Sequence, residues 1–139
     1  MVEEFRPVLI ALAILIAAAS AAEAPNFVVI LADDLGIGDI GPYGNRLIET
    51  PSLDRMAAEG ILFTDFYSSA NICTPSRGGL LTGRYPVRLG LTGDVARPTN
   101  KIGISPSEVT LAEALSEAGY ATACIGKWHL GHAPDQWPT

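Results

Sequence analysis

The chain has 139 residues, 48% of them hydrophobic, and a formal net charge of -6. That length suits one small domain with a modest core. The negative balance argues against nucleic acid as a partner, which wants clustered Lys and Arg. It leaves an anionic substrate open, because a few placed cations and a metal overcome a diffuse negative field.

An apolar run from Val8 to Ala22 is shorter than the ~20 residues of a membrane-spanning helix. Ser20-Ala21-Ala22 before Glu23 fits a small-x-small cleavage pattern, although Glu3 and Glu4 offset Arg6 where a basic start is usual. The expectation is a signal peptide over residues 1–22, cleaved near Ala22, with an uncleaved N-terminal anchor as the alternative. The product is then exported, to periplasm, lysosome or extracellular space, with no stable membrane span. Two cysteines in an exported chain ordinarily suggest a disulfide. Here Cys124 lies in a strand-like run where a buried free thiol is common, and Cys73 has another use available.

Asn26 to Leu31 is a short β-branched run, expected to be a central strand buried on both faces. Asp33-Asp34 and a glycine-rich loop follow it. Thr50 as cap, Pro51 in the first turn and Gly60 as stop predict a helix, with an apolar face of Leu53, Met56 and Ala57. Ile61 to Phe66 reads as a second strand. Thr74-Pro75 opens a short helix closed by Gly83, and a connection rich in Gly, Pro and Asn runs through the nineties. Thr110 and Glu113 stand at capping-box spacing, with Gly119 as the stop. Tyr120 to Gly126 is the third expected strand. Alternating strands and helices predict an α/β fold with a mainly parallel sheet and flanking helices. Residues 132–139 add no closing element, and about three strands is small for this class, so the chain reads as the N-terminal portion of something longer.

Three clusters carry chemistry. Asp33 and Asp34 fall at the C-terminal end of the first expected strand, where open α/β sheets place ligands. Adjacent carboxylates that both stay ionised imply a cation, and hard oxygen ligands suit Ca²⁺ or Mg²⁺; a solvated turn is the equally weighted reading. In Cys73-Thr74-Pro75-Ser76-Arg77 a cysteine meets a helix start, where unpaired N–H groups favour anions and activate a thiolate. Arg77 is one turn in, within reach of an anion or of residue 73; a buried Cys beside an ordinary helix is the bland alternative. Lys127 and His129 are two apart, so an extended segment puts both on one side. Lys holds an anionic group and His moves protons near neutral pH, or the segment is a surface loop with Trp128 packed inward and His132 incidental. Together the clusters describe an ester hydrolase acting on an anion.

Cys73-Thr74-Pro75-Ser76-Arg77 followed by Leu80-Leu81-Thr82-Gly83-Arg84 resembles the signature of the sulfatase family. The Asp33-Asp34 segment resembles the family's N-terminal metal segment, and Lys127-Trp128-His129 its Lys-x-His segment; the likeness runs from about Pro25 to His132. It implies an alkaline-phosphatase-like sulfatase fold, incomplete in this chain, with residues 23–139 as the N-terminal part of the catalytic domain. It implies that a formylglycine-generating enzyme converts Cys73 to Cα-formylglycine. Ca²⁺ would be bound by Asp33, Asp34 and an oxygen of modified residue 73, and the hydrated aldehyde would attack the sulfur of a sulfated small molecule or carbohydrate. His129 would take a proton from the second hydroxyl, Lys127 would hold the sulfate, and Arg77 would stabilise residue 73. Hydrolysis of a phosphate diester or phosphonate within the same superfamily is the second reading, and a non-catalytic truncated product the third. Gly78-Gly79 departs from the small residues, often alanines, usual at that point in the family, at up to ~1 kcal/mol of helix propensity for each Gly.

Overall fold

The computed structural model describes residues 24–138. The chain divides into two units, one ending at Ala32 and one beginning at Asp33. In the first, the described residues form no regular element, and Phe27, Val28, Val29, Ile30 and Leu31 are exposed. The signal-peptide expectation for residues 1–22 lies outside the described residues. No helix among those described is long and apolar enough to cross a membrane.

The second unit is built on three α-helices: α1, Pro51–Glu59; α2, Cys73–Thr82; and α3, Leu111–Glu117. Short 3-10 turns at Ile37–Asp39, Gly41–Tyr43, Pro86–Leu89 and Pro134–Gln136 carry the chain between them. Each helix sits where its punctuation predicts. At α3 the capping box is complete, with Thr110 Oγ1 accepting from the Glu113 amide and Glu113 Oε2 accepting from the Thr110 amide. Its other end is a Schellman motif. Gly119, at φ 91°, donates from its amide to Ser116, and the Tyr120 amide donates to the carbonyl of Leu115. Gly83 ends α2 at φ 66° and donates to the Gly79 carbonyl. At α1 the expected cap is only half realised. Thr50 holds the N-cap position, but its hydroxyl accepts from Gly41 N–H and donates to Asp54, making no cap bond. Leu53 and Met56, expected to pack inward, are exposed.

The core is not where the strand pattern places it. Leu91, Ile104 and Leu130 form the buried cluster, with Leu81, Leu89, Ile102 and Trp128 packed against it. The Ile104 amide donates to the Leu130 carbonyl at 2.7 Å. No strand forms among the described residues. Phe63, Phe66 and Ile125, in runs that read as strands, are exposed, and so is the Cys124 expected to be buried; Cys124 and Cys73 are both free. A β-branched run specifies how a segment fits a pleated sheet, whereas a ladder needs a second segment about 4.8 Å away.

The two glycines of α2 have steric reasons. A Cβ at Gly78 would sit 2.5 Å from Leu91 Cδ1 in the core. At Gly79 it would overlap the Ser69 hydroxyl and come within 2.9 Å of Ser69 Cβ and 3.3 Å of the Arg84 carbonyl oxygen. Rotating the hydroxyl away leaves the other two contacts. Gly79→Ala therefore sets a helix-propensity gain of up to ~1 kcal/mol against an overpacking cost of about 1–3 kcal/mol. A lower urea midpoint for Gly79→Ala at unchanged slope is expected, and a raised midpoint would refute the steric account.

Candidate active site

Helix α2 begins at Cys73, so the cysteine occupies the first helical position and Ile72 the N-cap. Pro75 costs no hydrogen bond this early, where N–H groups have no intrahelical acceptor. The first turn closes with the Ser76 amide on the Ile72 carbonyl at 3.1 Å. Arg77 is four residues on and shares a helix face with Cys73.

Arg77 joins two distant parts of the chain. Its Nη1 donates to the Lys127 carbonyl at 2.5 Å and its Nη2 to Asp33 Oδ1 at 3.1 Å. Lys127 Nζ donates to the other carboxylate oxygen, Asp33 Oδ2, at 2.5 Å. One carboxylate thus receives a cation on each oxygen. The Lys127 ammonium, and then the Arg77 guanidinium, hold the Asp33 carboxyl below the 3.8 of an ordinary Asp. The Asp33 hydrogen bond raises Lys127 above 10.5, with burial and the Arg77 charge opposing and the nearby Cys73 sulfur reinforcing it. The side chains are unequally covered: Arg77 is 12% exposed, Asp33 38% and Lys127 42%.

Beside this triad lie two residues with left-handed backbones, Asp34 at φ 56° and His129 at φ 58°. Asp tolerates that conformation through local hydrogen bonding, while for other side chains it costs about 1–2 kcal/mol. The left-handed turn corrects the expectation that Lys127 and His129 point the same way from an extended segment. Lys127 reaches Asp33, and His129 Nε2 instead meets the Ala96 carbonyl at 2.8 Å. His129 Nδ1 and Arg77 Nε are buried without hydrogen-bond partners among the described residues. Trp128 packs on the core with its Nε1 donating to the Gln136 carbonyl, so the inward tryptophan and the Lys/His pair are both present. His132 is exposed.

The structure brings Asp33, Arg77 and Lys127 into direct contact beside Cys73, and sets His129 one hydrogen bond from Thr74. It does not gather Asp33, Asp34 and Cys73 into a metal site: among the described residues no three His, Cys, Asp or Glu side chains cluster to hold an ion. Two adjacent carboxylates suit a hard cation, but Ca²⁺ takes about 6–8 oxygens, and both Asp33 oxygens already face cations. These residues alone do not make a calcium site. Sequence reasoning missed Thr74, the one buried polar side chain of the described residues, and Ala96 in the connection it bridges. Thr74 stood inside the signature and carried that signal; Ala96 contributes only its backbone and carried none.

A carboxylate under two cations thus stands with a helix-end cysteine and a half-buried imidazole. The Sulfatase family model matches residues 25–137. Bos taurus arylsulfatase A is 53% identical over 121 residues, covering 87% of this chain and 24% of that protein. Rattus norvegicus N-acetylgalactosamine-6-sulfatase is 50% identical over 139 residues, covering 95% of this chain and 26% of that protein. A solved structure from work on metabolism of multiple glycosaminoglycans by Bacteroides thetaiotaomicron matches with a TM-score of 0.74 at 49% identity, over 81% of this chain and 23% of that one. The chain belongs to the sulfatase family. It spans about a quarter of the length of the curated relatives it matches.

Two outcomes follow from the triad. With Asp33 depressed, its ion pairs stabilise the fold above pH 3.8 and are lost as pH falls through its lower folded value. With Lys127 raised, its share is complete below pH 10.5 and is lost as pH climbs through its higher folded value. A ¹³C NMR titration is expected to place the Asp33 midpoint below 3.8, and Lys127→Met to move it back up; a midpoint indifferent to Lys127→Met would remove the ammonium as first cause. Calorimetric titration with calcium is expected to show binding of this chain no tighter than about 10⁻³ M. Micromolar affinity would show that its own donors suffice.

Proposed function

We propose that this chain supplies the nucleophile-bearing part of a sulfate-ester hydrolase. The observation that carries the reading is the convergence of Asp33, Arg77 and Lys127 beside Cys73, in a chain of the sulfatase family. The runs Asn26–Leu31, Ile61–Phe66 and Tyr120–Gly126 belong, on this reading, to the mainly parallel sheet of an alkaline-phosphatase-like fold. Export through the residue 1–22 leader, modification by a formylglycine-generating enzyme, and a sulfated small molecule or carbohydrate as substrate complete it.

Formylglycine at residue 73 would supply, as the aldehyde hydrate, the oxygen nucleophile that a thiol does not. Calcium would supply charge stabilisation, with Asp33, Asp34 and an oxygen of modified residue 73 among its donors and further donors from outside this chain. The remaining work falls to this chain's own side chains. Arg77, forked between Asp33 and the Lys127 carbonyl, holds the carboxylate and the Lys-x-His segment at the start of α2. Lys127 presents its ammonium to a sulfate oxygen near residue 73. Asp33, Arg77 and Lys127 sum to one positive charge, which neighbouring Asp34 offsets, so drawing an anion into this acidic protein falls to the exposed Lys127 ammonium together with the metal. His129 takes a proton at Nδ1. Its Nε2 donates to the Ala96 carbonyl, so the neutral ring has its basic nitrogen at Nδ1.

The modification test is peptide mass spectrometry of the protein exported from a host with the modifying enzyme. An aldehyde at residue 73, captured by hydrazide, is expected; an intact thiol throughout would remove the nucleophile. Substrate class is tested with a polypeptide carrying this segment at the length of its relatives, assayed side by side on an aryl sulfate and an aryl phosphodiester. Faster turnover of the sulfate is expected, and Lys127→Ala is expected to reduce it by roughly 10²-fold or more, as for loss of one oxyanion donor. Preference for the phosphodiester would overturn the substrate class.

A further inference from the structure

We propose that Thr74 is a positioning residue for His129, acting through a closed ring of hydrogen bonds that includes Ala96. Thr74 Oγ1 donates to the His129 carbonyl at 2.7 Å, His129 Nε2 donates to the Ala96 carbonyl at 2.8 Å, and the Ala96 amide donates to Thr74 Oγ1 at 2.9 Å. Each residue donates once and accepts once, and at Thr74 a single hydroxyl does both, so its two bonds strengthen each other. The partners are 55, 33 and 22 residues apart in sequence. The ring therefore ties the start of α2, the connection in the nineties and the Lys-x-His segment together at one buried hydroxyl.

The direction of donation round the ring is determined by its chemistry. A backbone amide only donates, so Thr74 Oγ1 accepts from Ala96 and must aim its own hydrogen elsewhere; the His129 carbonyl is there to receive it. A backbone carbonyl only accepts, so His129 Nε2 must carry a hydrogen toward Ala96. Nδ1, buried and without a partner among the described residues, is then the bare nitrogen of the neutral ring. The ring also secures a strained backbone. His129 is left-handed at φ 58°, and such residues persist only where the surroundings over-determine them. The Thr74 bond grips the carbonyl of that same residue. Thr74 is 0% exposed, so water cannot replace its oxygen if it is lost. It thus acts through His129, fixing backbone, ring orientation and tautomer without touching the reacting atoms.

The purpose of a bare Nδ1 rests on the hydrolase reading above, but the tautomer can be read without any activity. The chain has two histidines, His129 and His132, so long-range ¹H–¹⁵N correlation of the full ¹⁵N-labelled chain assigns both with one His132→Gln control. The wild type is expected to show His129 as the Nε2–H tautomer, with Nε2–H and the Ala96 amide both slow to exchange with solvent. Thr74→Val, which keeps shape and removes the hydroxyl, is expected to speed exchange at both sites on the order of tenfold and to mix the His129 tautomers. Thr74→Ser, which keeps the oxygen, is expected to restore both. Wild-type His129 found as Nδ1–H, or a folded Thr74→Val with unchanged tautomer and exchange, overturns the proposal. Should Thr74→Val not fold, Thr74→Ser decides: a retained tautomer and slow exchange support the ring, and an altered tautomer sinks it. A protein that hydrolyses no sulfate ester but shows these signatures would overturn the hydrolase reading and leave the ring standing.

Discussion

One guanidinium organises the site. Arg77 places two donors of its planar fork on the Asp33 carboxylate and the Lys127 carbonyl, groups that lie 44 and 50 residues from it in sequence. A lysine at this position would offer a single compact charge on a flexible stem and could not span both acceptors in fixed geometry. Because Arg77 projects from a helix whose buried glycines press against the core and Ser69, the fork inherits the rigidity of the packing beneath it. Asp33 and the Lys-x-His segment are thereby referred to the same frame as Cys73, at the first position of that helix. A shift of the helix would move all of them together.

The parts of this arrangement legible in the sequence are those whose cause is local. Thr110 with Glu113 and Gly119 bracket α3, and Gly83 closes α2, because a cap or a left-handed stop needs nothing beyond its own helix. Asp33, Arg77 and Lys127 were visible as charged residues in short segments with a family signature, and they do meet. What was not legible depends on distant neighbours. Ile61–Phe66 and Tyr120–Gly126 have strand composition, yet among the described residues no strand forms and Ile125 stands exposed. Thr50 has a cap's chemistry and position, but the Gly41 amide competes for its oxygen. Nor does histidine announce a left-handed backbone as glycine would, so the spacing of Lys127 and His129 suggested a shared face that the fold does not make.

Thr74 shows why the site could be named residue by residue and still be incompletely understood. In the sequence it separates a cysteine from a proline at the opening of a short helix. In the fold its hydroxyl is buried and serves the backbone of His129 and of Ala96. Both of those groups belong to segments that the sequence could only describe as connections, and a backbone acceptor or donor leaves no trace in residue identity. The burial makes the matching obligatory, since a hydroxyl out of water must satisfy its hydrogen and its lone pairs from protein groups.

The two cations on Asp33 are not equivalent, and under the proposed function the difference suits an anion that arrives and leaves. Arg77 is 12% exposed and has a second acceptor in the Lys127 carbonyl, so leaving Asp33 would strand a buried charge with one partner fewer. Lys127 is 42% exposed, has a long flexible stem, and trades its Asp33 contact for water at little cost in desolvation. One cation therefore defines the geometry while the other remains free to follow charge. On the proposed function, moving Lys127 from carboxylate to a sulfate oxygen would exchange one charge-assisted hydrogen bond for another, with Arg77 keeping Asp33 paired throughout. An arrangement with the exposures reversed would hold the ammonium fast and let the frame move, which is the poorer division of labour for binding a transient anion.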